Sequence, residues 1–405
     1  MLFKDIIGQP EVKQQLVEMV QHNRLSHALL FLGREGSGAL PLALAFAQYV
    51  SLLPNKFQSQ ATALFGEPIE IKLPSSAAEA DAWMQKQPSF SKAEQLVHPD
   101  VHFSYPVVTK KSGTPPISTD YVSEWREFLK QFPYGNIYDW LQFIDAENKQ
   151  GNITAYECND IIRKLNLKSF ESGYKILLMW MPEYLGKEGN KLLKMIEEPP
   201  PDTLFILVAE NESEILSTIL SRCQLVKIPV LGTEHIEQYL LSRKACTTEQ
   251  AKQIANASDG NYREALNLIQ HSDEDFNGLL REWLNASLKN QTILQVKLID
   301  EIGRMGREKQ KQFLKQFIHL IEQAVRLQIA DIVLKERLIN SMSGGEHDFV
   351  NRLNKAMTLE QKQAIAEELD KATYYIERNA NAKILFHALT IKIFHIVKNN
   401  IVITV

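Results

Sequence analysis

The sequence predicts an α/β protein in which a doubly wound parallel sheet is followed by a smaller helical region and then by long helices. Three short apolar runs, HALLFLG, YKILLMWM and TLFILVAE, are typical of buried strands and occupy residues 27–33, 174–181 and 203–210. A helical pattern follows each run, and this alternation is typical of a parallel sheet. Strand signals fade after residue 231. A chain of 405 residues is expected to form two or three domains.

Composition limits the class of protein. A hydrophobic fraction of 44% and a charged fraction of 23% are typical of a soluble globular protein. The net charge of −4 argues against nucleic-acid binding through net charge alone, although a local basic face stays possible. Cys158, Cys223 and Cys246 lie far apart, which supports neither a disulfide framework nor a cysteine-rich zinc site. Without a signal-peptide pattern or a long apolar run, we expect a cytoplasmic protein.

The first elements form a strand, a glycine turn and a helix. Residues 10–22 place apolar side chains at helical spacing behind Pro10, which suits the first turn of a helix. After the strand at 27–33, residues 39–53 form the next predicted helix, with Pro41 tolerated in its first turn. This order of elements is the setting in which a phosphate-binding loop is found.

An insertion at about 54–152 interrupts the regular pattern. Its prolines, serines and aromatic residues predict an elaboration on the core that is partly loop and partly short helices. Residues 122–132 predict one amphipathic helix, but the sequence assigns no role to residues 107–152. Further on, residues 189–200 predict a helix closed by three prolines, and residues 215–231 a short helix that leads into a strand.

Three domains follow from these patterns. Residues 1–230 are expected to form the α/β domain, and residues 231–271 a small helical domain. Residues 272–405 predict an all-α domain with long helices such as those at 309–334 and 382–401.

The stretch FLGREGSGALPL has the glycine spacing of a phosphate-binding loop. Gly33, Gly36 and Gly38 can shape a loop whose backbone N–H groups face an anion at a helix N-terminus. A working loop continues with a lysine for the phosphates and a hydroxyl for Mg²⁺. This chain has Ala39 and Leu40 there, which supply neither the charge nor the metal ligand.

The second half of such a site is missing as well. An acidic pair at the end of a later strand would hold Mg²⁺ and activate water. The strand at 174–181 ends in Trp180 and Met181 instead, and Glu183 lies two residues further on, where it would point elsewhere. Two losses at complementary positions indicate an inactive hydrolase site. On this pattern alone, a plain glycine turn between a strand and a helix explains the stretch equally well.

Further motifs favour the inactive nucleotide site. The chain resembles bacterial clamp-loader subunits of the AAA+ class, most of all the delta prime subunits of the DNA polymerase III holoenzyme. The resemblance rests on five segments in order: FKDIIGQPEVKQQL (3–16), SHALLFLGREGSG (26–38), HPDVHF (98–103), LLKMIEEPPPDTLFILVAE (192–210) and TILSRC (218–223). The resemblance covers roughly residues 1–270. The C-terminal region resembles the family only in its helical character. The resemblance implies an AAA+ (RecA-like) sheet domain, a helical lid and a helical collar.

The resemblance also implies roles for individual residues. In the family, the Ser-Arg-Cys motif of one subunit directs its arginine to the γ-phosphate held by the next, so Arg222 would be an arginine finger acting in trans. Ser221 and Cys223 would support it as a helix cap and a small buried thiol. Without the surrounding match, Arg222 would be an ordinary surface or salt-bridged arginine.

Two further positions correspond to sensors in the family. Arg263 in GNYREAL would face a nucleotide in the same subunit, alongside Gly33, Gly36, Gly38 and Ala39 of the degenerate loop. Because that loop is expected to be empty, Arg263 is expected to form an interdomain ion pair instead. Asn211 lies near the first sensor position, but a loop-entry asparagine is the better interpretation.

No metal or other cofactor is expected. Many members of the family carry a four-cysteine zinc module, whereas residues 50–97 contain neither Cys nor His, and zinc needs four such ligands. His98 and His102 are expected to be simple surface residues.

The leading functional hypothesis is a non-hydrolysing clamp-loader subunit that assists a neighbour's catalysis. Implied partners are the gamma and tau ATPase subunits, the delta subunit, the sliding clamp and primer-template DNA, and the isolated chain is expected to be a monomer. One alternative is a divergent AAA+ ATPase or helicase loader that binds nucleotide itself. Another is an independent DNA-binding module, against which the acidic charge balance argues.

Overall fold

The computed structural model describes residues 1–54, 73–110, 113–146, 149–270, 276–331, 344–377 and 380–399, together with residues 335, 339 and 342. The chain divides into two compact units, Met1–Ile269 and Gln270–Val405. Each unit has its own hydrophobic core and is described by itself.

A five-stranded parallel sheet organises the first unit, which confirms the predicted α/β class. The strands are β1 (Ala28–Gly33), β2 (Val101–Ser104), β3 (Lys175–Trp180), β4 (Thr203–Ala209) and β5 (Gln224–Ile228), in the spatial order β2-β3-β4-β1-β5. Every residue of β3 and β4 is buried, as expected for a parallel strand covered on both faces. The glycine loop after β1 therefore lies near the middle of the sheet, between the ends of β4 and β5.

The helices of the first unit agree with the predicted ones where the apolar spacing is regular. They are α1 (Pro10–Gln21), α2 (Ala39–Ser51), α3 (Ala77–Met84), α4 (Phe90–Glu94), α5 (Val122–Gln131), α6 (Ile137–Phe143), α7 (Ala155–Leu165), α8 (Leu193–Glu197), α9 (Ser217–Leu220), α10 (Thr233–Ser242), α11 (Thr248–Ala257) and α12 (Tyr262–Gln270). Short 3₁₀ turns cover Phe3–Asp5, Ser118–Tyr121, Pro182–Leu192 and Glu212–Glu214. The predicted helix at 189–200 is thus a 3₁₀ segment followed by the short α8.

The insertion is part of the core of the first unit. Helices α5 and α6 bring Trp125, Phe128 and Trp140 together, and all three side chains are buried. Tyr105, just after β2, stacks on Trp125 with ring centroids 4.0 Å apart, and the Trp140 Nε1–H donates to the carbonyl of Pro106 at 2.7 Å. This aromatic cluster fixes the part of the insertion that follows β2 against β2 and β3. The expectation that residues 54–152 consist of loops and short helices is wrong in one respect, because strand β2 lies within them.

Helices α10, α11 and α12 form a small apolar cluster of their own within the first unit. Ile236, Leu240 and Ala255 are buried in it. Ile7 from the N-terminal segment and Tyr134 from the insertion complete the cluster. The segment that the sequence identified as a lid therefore packs on the α/β part through the insertion.

The second unit is helical throughout its described residues. Its helices are α13 (Phe276–Leu288), α14 (Thr292–Arg304), α15 (Arg307–Ile329), α16 (Gly344–Ala356), α17 (Leu359–Glu377) and α18 (Ala382–Phe394), with a π turn at His395–Asn399. Trp283, Phe313 and Phe386 lie at the centre, where the Trp283 Nε1–H donates to Thr390 Oγ1 at 3.0 Å. The helix predicted at 309–334 ends at Ile329, and the last residues of that prediction and of the one at 382–401 lie outside the described part. Within the described part, no helix is long and apolar enough to cross a membrane.

Candidate functional site

The glycine loop between β1 and α2 keeps the backbone of a phosphate-binding loop. Gly36 and Gly38 have φ values of +70° and +92°, in the left-handed region that favours glycine. Helix α2 begins directly after Gly38 at Ala39, whose side chain is buried, as is that of Leu40. The positions where a working loop carries its lysine and hydroxyl are thus part of the hydrophobic core.

Trp180 closes the opposite side of the loop. It ends β3 in the place of an acidic residue, is 2% exposed, and packs on Trp125 and Phe128 of the insertion at centroid distances of 5.2 and 6.1 Å. Trp180 therefore belongs to the aromatic cluster.

Glu183 supports a neighbouring strand end and does not line the loop. Its Oε1 accepts the N–H groups of Glu210 at 2.7 Å and Asn211 at 2.9 Å, just beyond β4. Its Oε2 is buried without a hydrogen-bond partner among the described residues. Burial raises the pKa of this carboxyl above its ordinary value, against the lowering effect of the two backbone donors.

Tyr134 of the insertion covers the glycine loop. A Cβ atom built at Gly38 would lie 3.2 Å from the Tyr134 ring, and the Tyr134 hydroxyl accepts the N–H of Ile7 at 2.9 Å. The ring also packs edge-on against Tyr262 at 4.9 Å. The small cavity left at the loop is lined by 14 residues: Gly33, Arg34, Gly36, Gly38, Ala39, Leu40, Pro41, Pro133, Tyr134, Gly135, Trp180, Val208, Ala209 and Glu210.

The outer side of the loop is held by the lid and by the insertion together. The Tyr262 N–H donates to the Gly36 carbonyl at 3.2 Å, and a Cβ at Gly36 would overlap the Asn261 side chain. The Glu35 carboxylate accepts from Asn261 Nδ2 at 3.1 Å and from Asn136 Nδ2 at 2.9 Å. The loop therefore carries a negative charge of its own.

Arg263 is buried in an ion-pair network at this edge. Its Nε and Nη2 donate to the two oxygens of Asp139 at 2.5 and 2.7 Å, and its Nη1 lies 3.4 Å from Glu35 Oε1. The Arg263 side chain is 5% exposed. Asp139 is fixed by a capping box in which it accepts the Asn136 N–H at the start of α6. Arg263 thus forms the ion pair expected of it, with partners that the sequence did not identify.

Arg222 lies in different surroundings, directly after α9. Its side chain is 32% exposed, and its Nε donates to Glu197 Oε1 at 2.6 Å. The Nη1 group donates to the Thr218 carbonyl at 2.6 Å and to Ser221 Oγ at 3.2 Å. Ser221 is the C-cap residue of α9. Burial raises the pKa of the Cys223 thiol to about 11, so this thiol is neutral at pH 7.

Comparison with known proteins finds DNA polymerase III clamp-loader subunits. The sequence pattern of the family described as "DNA polymerase III, delta subunit" matches residues 75–232. The delta prime subunit of Bacillus subtilis is 25% identical over 265 residues, which are 65% of this chain and 60% of that protein. The delta prime subunit of Haemophilus influenzae is 31% identical over 100 residues, which are 24% of this chain and 31% of that protein. This chain is similar to delta prime-like clamp-loader subunits.

A DNA polymerase III gamma subunit is similar too. The one from Buchnera aphidicola subsp. Acyrthosiphon pisum is 30% identical over 142 residues, 34% of this chain and 38% of that protein. The chain therefore spans less than two thirds of the length of each of these clamp-loader relatives.

Two expectations about polar residues in this chain have different outcomes. Asn211 is a loop-entry residue as expected, since its Oδ1 accepts the Ser213 N–H at 3.1 Å. His98 was expected at the surface, and this prediction is wrong: it is 4% exposed, its Nδ1 accepts the Asp100 N–H, and its Nε2 lies 3.4 Å from Glu171. His102 is partly buried, and burial lowers its pKa. Over the described part of the chain, no group of three or more His, Cys, Asp or Glu side chains could hold a metal ion.

Tyr134, Asp139 and Glu35 are the site residues that the sequence analysis missed. Their partners lie 101 to 228 residues away along the chain, as in the pairs Asn136–Glu35 and Arg263–Glu35. The NIYD capping box could have located the start of α6, but not its partner in the lid.

Proposed function

We propose that this chain is a non-hydrolysing subunit of the DNA polymerase III clamp loader that supplies Arg222 to a neighbouring ATPase subunit. Its similarity to clamp-loader subunits supports a role in clamp loading. One observation carries the finer proposal: Tyr134 and Trp180 line the glycine-loop site and leave only a small cavity there, while Arg222 is 32% exposed.

The filled site disfavours a nucleotide in two ways. Tyr134 and Trp180 line the small cavity at the loop, so a triphosphate would have to compete with two aromatic side chains for that space. Charge is also unfavourable, because Ala39 offers none and the Arg263 guanidinium is already paired with Asp139 and Glu35. The cavity lining carries one arginine, Arg34, and one acidic residue, Glu210, so a phosphate placed there would lack the lysine of a working loop.

Arg222 fits a role in trans. A guanidinium at the surface of one subunit can stabilise the charge that develops on a phosphoryl group held by the next, and such a finger is worth roughly 10³–10⁵ in rate in other systems. Its own subunit needs no nucleotide for this role. Ser221 and Cys223 fix the turn that carries it.

The remaining assignments belong to the same proposal. Residues 1–230 would be the AAA+ domain, residues 231–271 its lid, and residues 272–405 a collar that joins the other subunits. Gamma or tau ATPase subunits, the delta subunit, the sliding clamp and primer-template DNA would be the partners, in the cytoplasm. Ile384 and Ile391, seven residues apart and 70% and 56% exposed on α18, are suited to burial in such a collar.

The deciding experiment compares the wild-type chain with Arg222→Ala in a reconstituted loader. Only the ATPase subunit that faces this chain should retain its phosphate-loop lysine, so that one interface is observed. We expect DNA- and clamp-stimulated turnover to fall by roughly 10³-fold while the complex still assembles. Arg163, another exposed arginine paired with a carboxylate, provides the matched control, and Arg163→Ala should leave turnover unchanged. Unchanged turnover with Arg222→Ala would contradict the trans role.

A second experiment tests the non-hydrolysing part. Isothermal titration of the isolated chain with Mg-ATP should show no binding. Micromolar binding would favour the divergent ATPase instead.

A further inference from the structure

The carboxylate of Glu197, in the LLKMIEEPP segment, accepts hydrogen bonds from Arg222. Glu197 is the last residue of α8 and lies 25 residues before Arg222 in the chain. Both Nε and Nη2 of the arginine donate to Glu197 Oε1. Building on the proposed function, we propose that Glu197 is a positioning residue that holds the Arg222 guanidinium in the orientation in which it meets the neighbour's phosphate.

The hydrogen-bond pattern leaves room for a phosphate. A guanidinium has five N–H groups in one plane. Glu197 takes two along one edge, and the Thr218 carbonyl and Ser221 Oγ take the two on Nη1. The second N–H of Nη2 meets no partner among the residues that the structure describes. This open N–H and the long 3.2 Å contact to Ser221 lie at the end of the guanidinium, so a phosphate can bind there without displacing Glu197.

Both ends of the contact stand on anchored elements. Ile196, next to Glu197, is 1% exposed, and Ile219 of α9 is 1% exposed as well. Prolines at 199–201 follow α8 and fix the direction in which the chain leaves the helix. The ion pair therefore joins two short helices whose positions are set by the core.

Holding an arginine in place has a kinetic consequence. An exposed arginine samples many rotamers, and each one that misses the phosphate reduces the fraction of competent encounters. The Glu197 carboxylate accepts from Nε and Nη2 and so restricts this freedom. The end of the guanidinium formed by Nη1 and Nη2 remains accessible. Glu197 should therefore act on turnover, and hardly on the affinity of the neighbour for ATP.

The test uses Glu197→Ala and Glu197→Gln in the reconstituted loader with one active interface. We expect kcat of stimulated ATP hydrolysis to fall about tenfold with Glu197→Ala and less with Glu197→Gln, which keeps one acceptor, while KM for ATP changes less than about twofold. Glu188→Ala is the matched control, because Glu188 is 45% exposed against 44% for Glu197 and pairs with a lysine. It should leave kcat unchanged, and thermal midpoints should be the same for all variants.

A double variant separates the two proposals. Glu197→Ala combined with Arg222→Ala should be no slower than Arg222→Ala alone, because the carboxylate acts only through the arginine. If Arg222→Ala itself leaves turnover unchanged, the proposed function fails. If Arg222→Ala removes turnover but Glu197→Ala leaves kcat unchanged, only the positioning role is overturned. A rise in kcat with Glu197→Ala would also overturn that role, and would mean that Glu197 competes with the phosphate for Arg222.

Discussion

Arg263 and Arg222 are both paired with acidic residues, yet their surroundings differ. Arg263 is 5% exposed and pairs with Asp139 from the insertion and Glu35 from the glycine loop. Arg222 is 32% exposed and pairs with Glu197, which is itself 44% exposed. The first arginine joins parts of one chain, whereas the second can still be reached from outside.

Under the proposed function, this difference separates the chain's own nucleotide edge from the edge that would face a neighbour. The edge that would bind nucleotide is closed by Tyr134, Trp180 and the Arg263 network. The edge that would face another subunit's nucleotide remains open at Arg222. Four predictions can break or sharpen this contrast.

The largest expected effect is on stability, at the closed edge. Arg263→Ala removes a buried cation and leaves Asp139 and Glu35 without compensation, which should lower the free energy of unfolding by about 3–5 kcal/mol. Arg222→Ala, at the exposed pair, should change it by less than about 1 kcal/mol. Urea unfolding of the two variants measures both, and equal losses would remove the contrast between the two arginines.

Tyr134 should have the next largest effect. Tyr134→Ala removes a ring packed on Tyr262 and an acceptor for the Ile7 N–H, and about 3 kcal/mol of stability should be lost. Tyr156, which is 60% exposed, provides the control, and Tyr156→Ala should be nearly neutral. A neutral Tyr134→Ala would mean that the insertion does not close the loop.

The titration of Glu183 gives a smaller and more specific signal. Because burial raises the pKa of Glu183 in the folded protein above the unfolded value of 4.5, the folded state binds the proton more tightly. The stability that this group contributes is therefore present below pH 4.5 and is lost as pH rises through the higher folded value. Glu183→Gln should flatten the fall in stability between pH 4.5 and neutral pH, measured by thermal unfolding, and an unaltered slope would contradict the assignment.

The thiol beside Arg222 gives the smallest effect. Burial raises the pKa of Cys223 to about 11, so few thiolates exist at pH 7 and alkylation by iodoacetamide should be slow there. Its rate should increase about tenfold for each pH unit up to pH 10. Fast alkylation at pH 7 would show that this turn is more open than Arg222's contacts indicate.

Local patterns predicted most of the fold. The apolar runs gave β1, β3 and β4, and the amphipathic spacing at 122–132 gave α5 almost to the residue. Strand β2 (Val101–Ser104) was not predicted, because it is only four residues long and begins among polar residues. Its place at the edge of the sheet depends on pairing with β3, which no local pattern reveals.

Within the candidate site, the sequence predicted only those positions at which a motif lacks its usual residue. Ala39, Leu40 and Trp180 showed from the sequence that charge and metal ligands were missing. What replaced them could not be derived, because Tyr134 and Asp139 act through contacts with residues about a hundred positions away. The burial of His98 could not be predicted either, because its side chain lies beside Glu171, which is distant along the chain.

The aromatic cluster around Trp180 makes the loss of the acidic residue difficult to reverse. Trp180→Asp would place a carboxylate against Trp125 and Phe128, and an isolated charge among such rings is strongly unfavourable. A lysine at position 39 would at the same time have to enter the small cavity that Tyr134 also lines. Each step back toward a catalytic loop would unfold part of the insertion before it gained any activity, so restoring hydrolysis would require several simultaneous substitutions. For an engineer, the packing around Trp180 therefore makes this chain a poor starting point for an ATPase.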